Sequence, residues 1–392
     1  MIRIIDFRLI IEKHTTHEKY YPRVVSFSVV DSLPLQNAPS ATIRVISTSN
    51  LNDAATVSQV EFDDIVRLQT SIRYSNLDKH VWIDIFEGRV QNQSKSFGSS
   101  TDIEFDCEGH IIAAFYAMIT TDAAYTSQDA SAILQSVTST YLDRISYSAS
   151  YVASGLLTVA AYNVESAQNF VIDTYKEMEK LSGYKKIIDV VPVYSASGTL
   201  QTCYLRWRAL PTVPTKKYKV LEGSPRLISA SFDIVGEDVI NDRHVKGATY
   251  TDVNNAQQQY SGSAQNAASI SSHDTRSAID IFSWIQSNQL CADVAAGLVS
   301  DSAEPYIAGS VVLEGTPDAH VGDLVIVEMP SLEVNGSEID GNYTVYRVSH
   351  HFSGSSFTTT LDLGRIKKDE YDYISKNITQ VLKITYKNQC KR

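Results

Sequence analysis

Two pairs of histidines are the first candidates for chemistry, because imidazole is a common metal ligand. His14 and His17 lie in a polar stretch that also holds Glu12. A surface metal site is conceivable there, but ordinary solvated side chains are the better interpretation. His350 and His351 are neighbours in a strand pattern, so their side chains point to opposite faces and cannot easily share one ion. We therefore predict no metal ligand.

Paired carboxylates are the second candidates, since a glycosidase needs two inward carboxylates, one with a raised pKa. Asp63-Asp64 falls at a predicted turn and Asp369-Glu370 in the C-terminal tail, where acids are usually solvated. Neither pair is singled out as catalytic. We expect both to be exposed.

Sequence motifs for catalysis or cofactor binding are missing as well. The chain has no GxxxxGK[ST] loop, no GxGxxG after a strand, and no GxSxG elbow. Its four cysteines form no CxxC pair, so zinc ribbons and redox motifs are unsupported, and we expect reduced thiols. The sequence predicts no catalytic residue, no cofactor and no enzyme.

Composition and net charge limit the class of protein to which the chain can belong. The 392 residues are 43% hydrophobic and 20% charged, which is typical of a globular chain of two to four domains. A net charge of −11 argues against a plain nucleic-acid binder, which needs a basic surface. No apolar stretch is long enough for a membrane helix, and the start indicates a first strand rather than a signal peptide.

The N-terminal hundred residues are predicted to be β. Short alternating runs are separated by Gly, Asn, Ser and Pro clusters, as in a barrel or sandwich. The predicted strands lie at 25–29, 42–46, 65–68, 81–86 and 103–107.

Helical patterns then interrupt the strands. The spacing predicts a helix over 127–141 with Ser127 as its N-cap, and a second helix from Asn163 to Leu181 followed by Gly183 at C′. Strands at 187–194 and 202–207, joined by a turn at 195–198, complete a compact α+β unit.

The C-terminal half repeats this alternation. Residues 217–250 are predicted to be strands, and 254–272 a loop or linker because they are rich in Ala, Gln, Asn and Ser. Helices are predicted at 274–286 and 290–299. Residues 307–366 are predicted to be β.

An internal repeat links the two β regions. An acidic turn opens an alternating strand at Asp63-Asp64 and again at Gly322-Asp323. About 35 residues later, each copy has Gly-Ser-Ser and then a large apolar residue and Asp, ending at Asp106 and Asp362. Hairpins in general share such features, which is one interpretation. The sharper interpretation is two homologous barrels with α/β material between them.

Several of these segments resemble a known family. The strands 322–327, 341–350 and 357–361 look like the closing barrel of phage baseplate hub proteins, the family of late control proteins and type VI secretion spike hubs. The segments 86–90 and 105–109 are similar to the family's first barrel. Motif-level similarity is confined to residues 60–111 and 310–366.

The resemblance implies an α+β, mostly β fold with two related antiparallel β-barrels and small inserted α/β domains. The expected segments are a first barrel (1–115), an α+β insert (116–215), a second barrel (216–250 plus 305–366), a linker and helical insert (251–304), and a tail (367–392).

The resemblance also implies a structural protein of the virion tail baseplate, assembled in the host cytoplasm. It would be a homotrimeric hub, joining the hexamer of the tail tube protein to a threefold central spike, with tape-measure and baseplate wedge proteins as further partners. Genome DNA would meet it only in transit through the channel. Two alternatives stay open: a β-rich adhesin that binds host-surface glycans through its tyrosines, and a tail-associated cell-wall hydrolase.

Overall fold

The computed structural model describes residues 4–32, 38–47, 60–73, 79–97, 101–120, 123–148, 150, 156–161, 165–167, 186–219, 227–235, 239–252, 254–282, 285–303, 306–328 and 340–365. This part of the chain contains 23 strands and four helices. The α+β, mostly β fold class is thereby confirmed.

The first seven strands form what we call the N-terminal module. They are β1 (Ile4–Glu12), β2 (Lys19–Tyr20), β3 (Val24–Ser32), β4 (Ser40–Ser47), β5 (Ile65–Arg73), β6 (Ile83–Phe97) and β7 (Thr101–Gly109). Alternation explains why they are strands: in β7, Ile103, Phe105 and Cys107 are buried, while Glu104 and Asp106 face solvent. Each large buried side chain contributes roughly 1.5–3 kcal/mol.

A second set of strands forms what we call the C-terminal module. They are β15 (Lys216–Lys219), β16 (Leu227–Val235), β20 (Tyr306–Glu314), β21 (Leu324–Glu328), β22 (Gly341–Ser353) and β23 (Ser356–Arg365). Apart from Phe357, their buried apolar residues form a hydrophobic cluster separate from that of the N-terminal module.

One sheet of 13 strands runs through both modules. Its path is β16-β20-β23-β22-β3-β4-β7-β6-β5-β1-β2, and β21 joins β15 to β22. The sheet is antiparallel except for the parallel pair β15–β21. The two β regions predicted from the sequence are therefore hydrogen-bonded to each other.

The segment between the modules is an α+β unit. Its elements are α1 (Ile112–Tyr116), β8 (Met118–Ile119), β9 (Ala123–Asp129), α2 (Ala130–Tyr141), β10 (Ile145–Ser146), β11 (Leu156–Ala161), β12 (Glu165–Ser166), β13 (Lys186–Tyr194) and β14 (Leu200–Ala209). The predicted hairpin is confirmed, with Gly198 at φ 75° in its turn.

Two helices predicted in this unit differ from the structure. The helix predicted over 127–141 begins at Ala130, because Asp129 rather than Ser127 caps it by accepting the Ser131 N–H at 2.9 Å. Of the helix predicted from Asn163, residues 165 and 166 instead form β12, which pairs with β8. Residues 168–185 lie outside the described part of the chain.

A second inserted unit corrects the prediction most strongly. It consists of β17 (Asp242–Thr251), β18 (Gln257–Gln265), α3 (Ala267–His273), β19 (Ser277–Ile281) and α4 (Asn288–Ser302). The predicted loop at 254–272 is wrong, since it contains β18 and α3. β18 has few apolar residues because small ones are needed: a Cβ on Gly262 would collide with the α4 backbone at Ala292.

The helix predicted over 274–286 is also wrong. Its core is β19, which pairs in parallel with β17 and is tied to it by the Arg243–Asp280 ion pair at 2.8 Å. Short apolar runs fit both a helical and a strand period, so tertiary pairing decides between them. The helix at 290–299 is confirmed as α4. β17 belongs to this unit and not to the second barrel, where the range 216–250 had put it; the other domain boundaries stay predictions.

Among the described helices, none combines the length and the apolar character needed to span a membrane.

Candidate assembly interface

Each module opens its central hairpin with the same acidic turn. In the N-terminal module Asp63 has φ 73° and donates its N–H to the Val90 carbonyl at 2.8 Å. The Val90 N–H returns to the Asp64 carbonyl at 2.9 Å. The Asp64 carboxylate accepts the Glu61 N–H, also at 2.9 Å. Backbone and side chain together fix this turn.

The C-terminal module has the same three hydrogen bonds. Gly322, at φ 81°, donates to the Val345 carbonyl at 2.7 Å. The Val345 N–H donates to the Asp323 carbonyl at 2.9 Å, and the Asp323 carboxylate accepts the His320 N–H at 2.9 Å. The turn predicted to repeat therefore repeats atom for atom.

A β-bulge follows at the same place in both hairpins. Pairing with the closing strand skips Gln91 in β6 and Tyr346 in β22. In each case the residue after the bulge lies opposite the predicted aspartate, Asp106 or Asp362. Bulges are local features that a chance likeness between hairpins would not reproduce. The internal repeat predicted from the sequence is confirmed.

The Asp63-Asp64 pair is not solvated, contrary to the prediction. Asp63 is 5% exposed and forms ion pairs with Arg89 at 3.3 Å and Arg144 at 2.6 Å. Asp64 is fully buried and also accepts the backbone N–H of His14 at 3.1 Å. Buried carboxylates need such partners, because an unpaired one is costly. Their role here is to anchor the turn and, through Arg144, the neighbouring α+β unit.

The two modules meet through a ladder between β22 and β3. The N-terminal part of β22 pairs with β21, from Gly341 to Thr344, and beyond the bulge its C-terminal part pairs with β3. The second ladder is antiparallel and runs from Arg347 opposite Ser32 to Ser353 opposite Ser26. One long strand thus pairs within its own module through its N-terminal part and with the other module through its C-terminal part.

Aromatic packing reinforces this ladder. Phe352 and Phe357, at the tip of the β22–β23 hairpin, pack against Phe7 and Phe27 of the N-terminal module, with ring centroids 4.3 to 6.0 Å apart. Phe357 is 6% exposed and belongs to the N-terminal core. A Cβ on Gly315 would run into the Phe357 ring, so glycine is required there. The hairpin tip is therefore inserted into its neighbour's core.

The hairpin turn itself agrees with the sequence. Gly354 has φ 64°, a conformation that favours glycine, between the opposed residues Ser353 and Ser356. Residues 98–100, the other predicted Gly-Ser-Ser turn, lie outside the described residues, but Phe97 and Thr101 on either side of them are paired.

The adjacent histidines on β22 point to opposite faces, as predicted. His350 is buried, and its Nδ1 lies 3.0 Å from the Thr359 hydroxyl. Burial lowers the pKa of His350 to about 3, so the ring is neutral. His351 is exposed.

The other histidine pair is divided between two acids. His14 Nδ1 lies 3.1 Å from Asp64, whereas His17 Nδ1 lies 2.9 Å from Glu12. Across the described residues, no three His, Cys, Asp or Glu side chains are grouped to hold a metal ion. Asp369 and Glu370 lie outside this part of the chain.

We call the β22–β3 ladder and the phenylalanines packed around it the junction. A cavity of about 840 Å³ lies beside this junction. Its wall comes from three parts of the chain: the N-terminal module, the β13–β14 hairpin and the acidic turn of the C-terminal module. Representative lining residues are Asp31, Glu87, Asp189, Arg206 and His320. The junction is therefore partly polar and partly aromatic.

Two acids in this wall have raised pKa values. Burial, opposed by the Ser32 N–H and aided by Asp189, raises the pKa of Asp31 to about 7. Burial and the nearby Asp84 raise the pKa of Glu87 to about 7. Protonation near neutral pH thus removes charge from the junction.

Sequence reasoning missed the residues that make the junction. No motif identifies Phe352 and Phe357, although a phenylalanine within two residues of each end of a Gly-Ser-Ser turn was a visible signal. Such a pattern alone does not tell which core the rings enter.

Comparisons with solved structures give one consistent result. The 43 kDa tail protein of prophage MuSo2 from Shewanella oneidensis superposes with TM-score 0.57 at 10% identity, covering 91% of this chain and 98% of that one. Prophage tail protein gp18 from Listeria monocytogenes EGD-e gives 0.56 at 12%, covering 96% and 99%. A chain of the Francisella PdpA–VgrG complex gives 0.54 at 8%, covering 94% of this chain and 53% of that one.

Neither a protein-family profile nor a curated protein sequence matches the chain. At 8–12% identity the superpositions establish the fold alone. They cover nearly the whole of both tail proteins. The predicted resemblance is thus confirmed at the level of the fold: this chain has the fold of these two phage tail proteins.

Proposed function

We propose that the chain is a structural protein of a viral tail, the central hub of the baseplate, and that three copies form a closed ring. The single observation that carries this proposal is the internal repeat: turn, bulge and closing strand agree between the two modules. Three chains with two equivalent modules present six near-equivalent faces.

The physical reason is symmetry. A tube built of hexameric rings offers six equal contacts, whereas a spike below it offers three. A trimer of two-module chains satisfies the sixfold side with its modules and the threefold side with its inserted units. A trimer of chains with one module each would leave half of the sixfold interface unmatched.

The partners follow from this placement. The tube protein hexamer would contact the modules, and the threefold spike would contact the opposite face. Tape-measure and wedge proteins are further candidates. The protein would act in the virion tail by geometry and not by catalysis, after assembly in the host cytoplasm.

The net charge supports a further part of the proposal. A ring has a channel, and an acidic chain (net charge −11) would repel passing DNA. A reconstruction of the ring gives the charge of the channel wall directly. A basic wall would contradict this part while leaving the hub intact.

The proposal is tested on the purified full-length protein. Light scattering on a sizing column is expected to give three chains per particle, and negative-stain images a ring with a central hole and threefold or quasi-sixfold symmetry. A stable monomer at high concentration, or a ring with another number of chains, would contradict it. Lysis of cell walls or binding to a glycan array by the isolated protein would favour one of the alternatives instead.

A further inference from the structure

Several strand edges in the described part of the chain have no strand beside them, and two of these belong to strands of the repeat, β16 and β6. β16 ends the large sheet and pairs with β20 alone. β6 pairs with β5 in its first part, but over residues 94–97 it pairs only with β7. Natural proteins usually protect such edges with charges, prolines or bulges. β16 has one charged residue, Asp233, and one bulge, at Ile228 near its start.

The repeat identifies what these edges correspond to. β6 is the counterpart of β22, because both follow the acidic turn and have the same bulge. β3 and β16 are counterparts because each pairs with the strand next to the closing strand, β4 or β20. In the chain, β22 and β3 are paired with each other. Their counterparts, β6 and β16, each have an edge without a neighbouring strand in the described part of the chain.

Register gives the correspondence residue by residue. Phe105 lies opposite Ile43, which lies opposite Phe27; the counterpart series is Leu361, Val311 and Ala230. The burial pattern agrees in both strands. Phe27 and Val29 enter the N-terminal core, and Ala230 and Phe232 pack against the C-terminal core.

We infer that β6 of one copy pairs antiparallel with β16 of the next copy, in the register of the β22–β3 ladder. Ser349 lies opposite Val30 within the chain, so Ser94 of one copy lies opposite Asp233 of its neighbour. This inference rests on the proposed ring and specifies its closing contact. Three junctions within chains and three between chains would alternate around six modules.

Exposed apolar side chains fit the same contact. Ile228, which is skipped at a bulge one residue before the part of β16 that would pair, is 53% exposed. Phe62 is 65% exposed, whereas its counterpart Val321, which lines the cavity at the junction within the chain, is 7% exposed. Large apolar side chains at matching positions are expected to be covered when the second junction forms.

A pair of cysteines tests this register. In a Cys390→Ser background, Ser94→Cys and Asp233→Cys are combined in one chain and treated with a short thiol-specific cross-linker. Both native side chains are exposed. We expect denatured products of one, two and three linked chains and none larger. Mixing the two single-cysteine proteins is expected to give linked pairs, while neither alone does.

Two control variants match this pair. Val30→Cys with Ser349→Cys, the equivalent pair inside the chain, is expected to link within single chains. Ser94→Cys with Ser229→Cys is displaced by four residues, about 13 Å along the strand, and is expected not to link.

The possible outcomes distinguish a failure of the inferred β6–β16 contact from a failure of the proposed hub function. A protein that is a trimer by light scattering but does not link at Ser94 and Asp233 overturns the junction and leaves the hub standing. A monomer that never links overturns both. Linked products longer than three chains support the junction but contradict the ring, and linkage of Ser94 to Asp233 within one chain overturns the junction.

Discussion

The two modules share a hairpin but differ in what surrounds it. In the N-terminal module, β1 lies antiparallel against β5, and Asp63 occupies the left-handed position of the turn. In the C-terminal module, β15 lies parallel to β21, and Gly322 occupies that position. Both modules share the hydrogen-bonded turn and the bulge, so these local features define the module. The strand beside the hairpin, β1 or β15, can run in either direction.

The comparison also separates a covered module from an uncovered one. The N-terminal module receives the hairpin tip of the other module through Phe352 and Phe357. Within the described residues, the C-terminal module receives no such tip. We therefore expect the N-terminal module to be stabilised within one chain and the C-terminal module to be covered on assembly with another copy.

The largest expected effect comes from removing the phenyl ring that the C-terminal module inserts into the N-terminal core. Phe357→Ala should lower the free energy of unfolding by about 3–5 kcal/mol, because it leaves a cavity in the N-terminal core. Chemical denaturation monitored by circular dichroism measures this loss. Tyr116→Ala, at a side chain 70% exposed, is the control and should change stability by less than about 0.5 kcal/mol. Equal losses in the two variants would show that the Phe357 side chain is not part of the core.

The acidic turns should differ in strength. Asp64→Ala should cost about 2–3 kcal/mol, because the N–H groups of His14 and Glu61 lose a buried acceptor. Asp323→Ala should cost about half of that, since its carboxylate is partly exposed and accepts one backbone N–H, from His320. Urea unfolding of the two variants side by side measures the difference. A greater loss at Asp323 would reverse the comparison.

The junction within the chain should respond to pH at Asp31. Its pKa is about 7 in the fold and near 3.8 when unfolded, so the folded state binds more protons between these values. Stability contributed here is therefore lost as pH rises from about 4 to 7. Asp31→Asn should be more stable than the parent by about 1–2 kcal/mol at pH 8, with the gain vanishing below pH 4.

Thermal unfolding from pH 4 to 8 measures this difference. The buried His350 acts in the opposite direction, because its pKa is lowered, but it contributes equally to parent and variant. Ile234, the counterpart of Asp31 in β16, predicts that the junction between copies lacks this response. A pH-independent gain in the variant would contradict the explanation.

The smallest effect is expected at the left-handed turn position. Gly322→Ala should cost about 1 kcal/mol, because alanine at φ 81° is strained. Gly322→Asn should cost less, since asparagine tolerates this conformation. The melting temperatures of the two variants provide the test. Equal losses would show that the turn rejects any side chain for lack of space, and not because of its backbone.

Much of the fold was predictable from local pattern. The alternation in β7, the hairpin at 187–207 and the helix at 290–299 follow from side-chain periodicity, which the chain encodes residue by residue. The failures were β18, whose polar and small residues carry no strand signal, and β19, whose short apolar run fits two periods. Both strands owe their state to neighbours distant in sequence.

The repeat follows from local sequence, because a turn, a bulge and a closing strand are local structures that similar short segments build in the same way. Three features depend on tertiary packing: β22 pairs with β3, Asp63 and Asp64 are buried, and Phe357 enters the other module's core. These contacts join residues far apart along the chain. Burial and pairing at such distances depend on how the modules pack, and no local pattern of residue types specifies that packing.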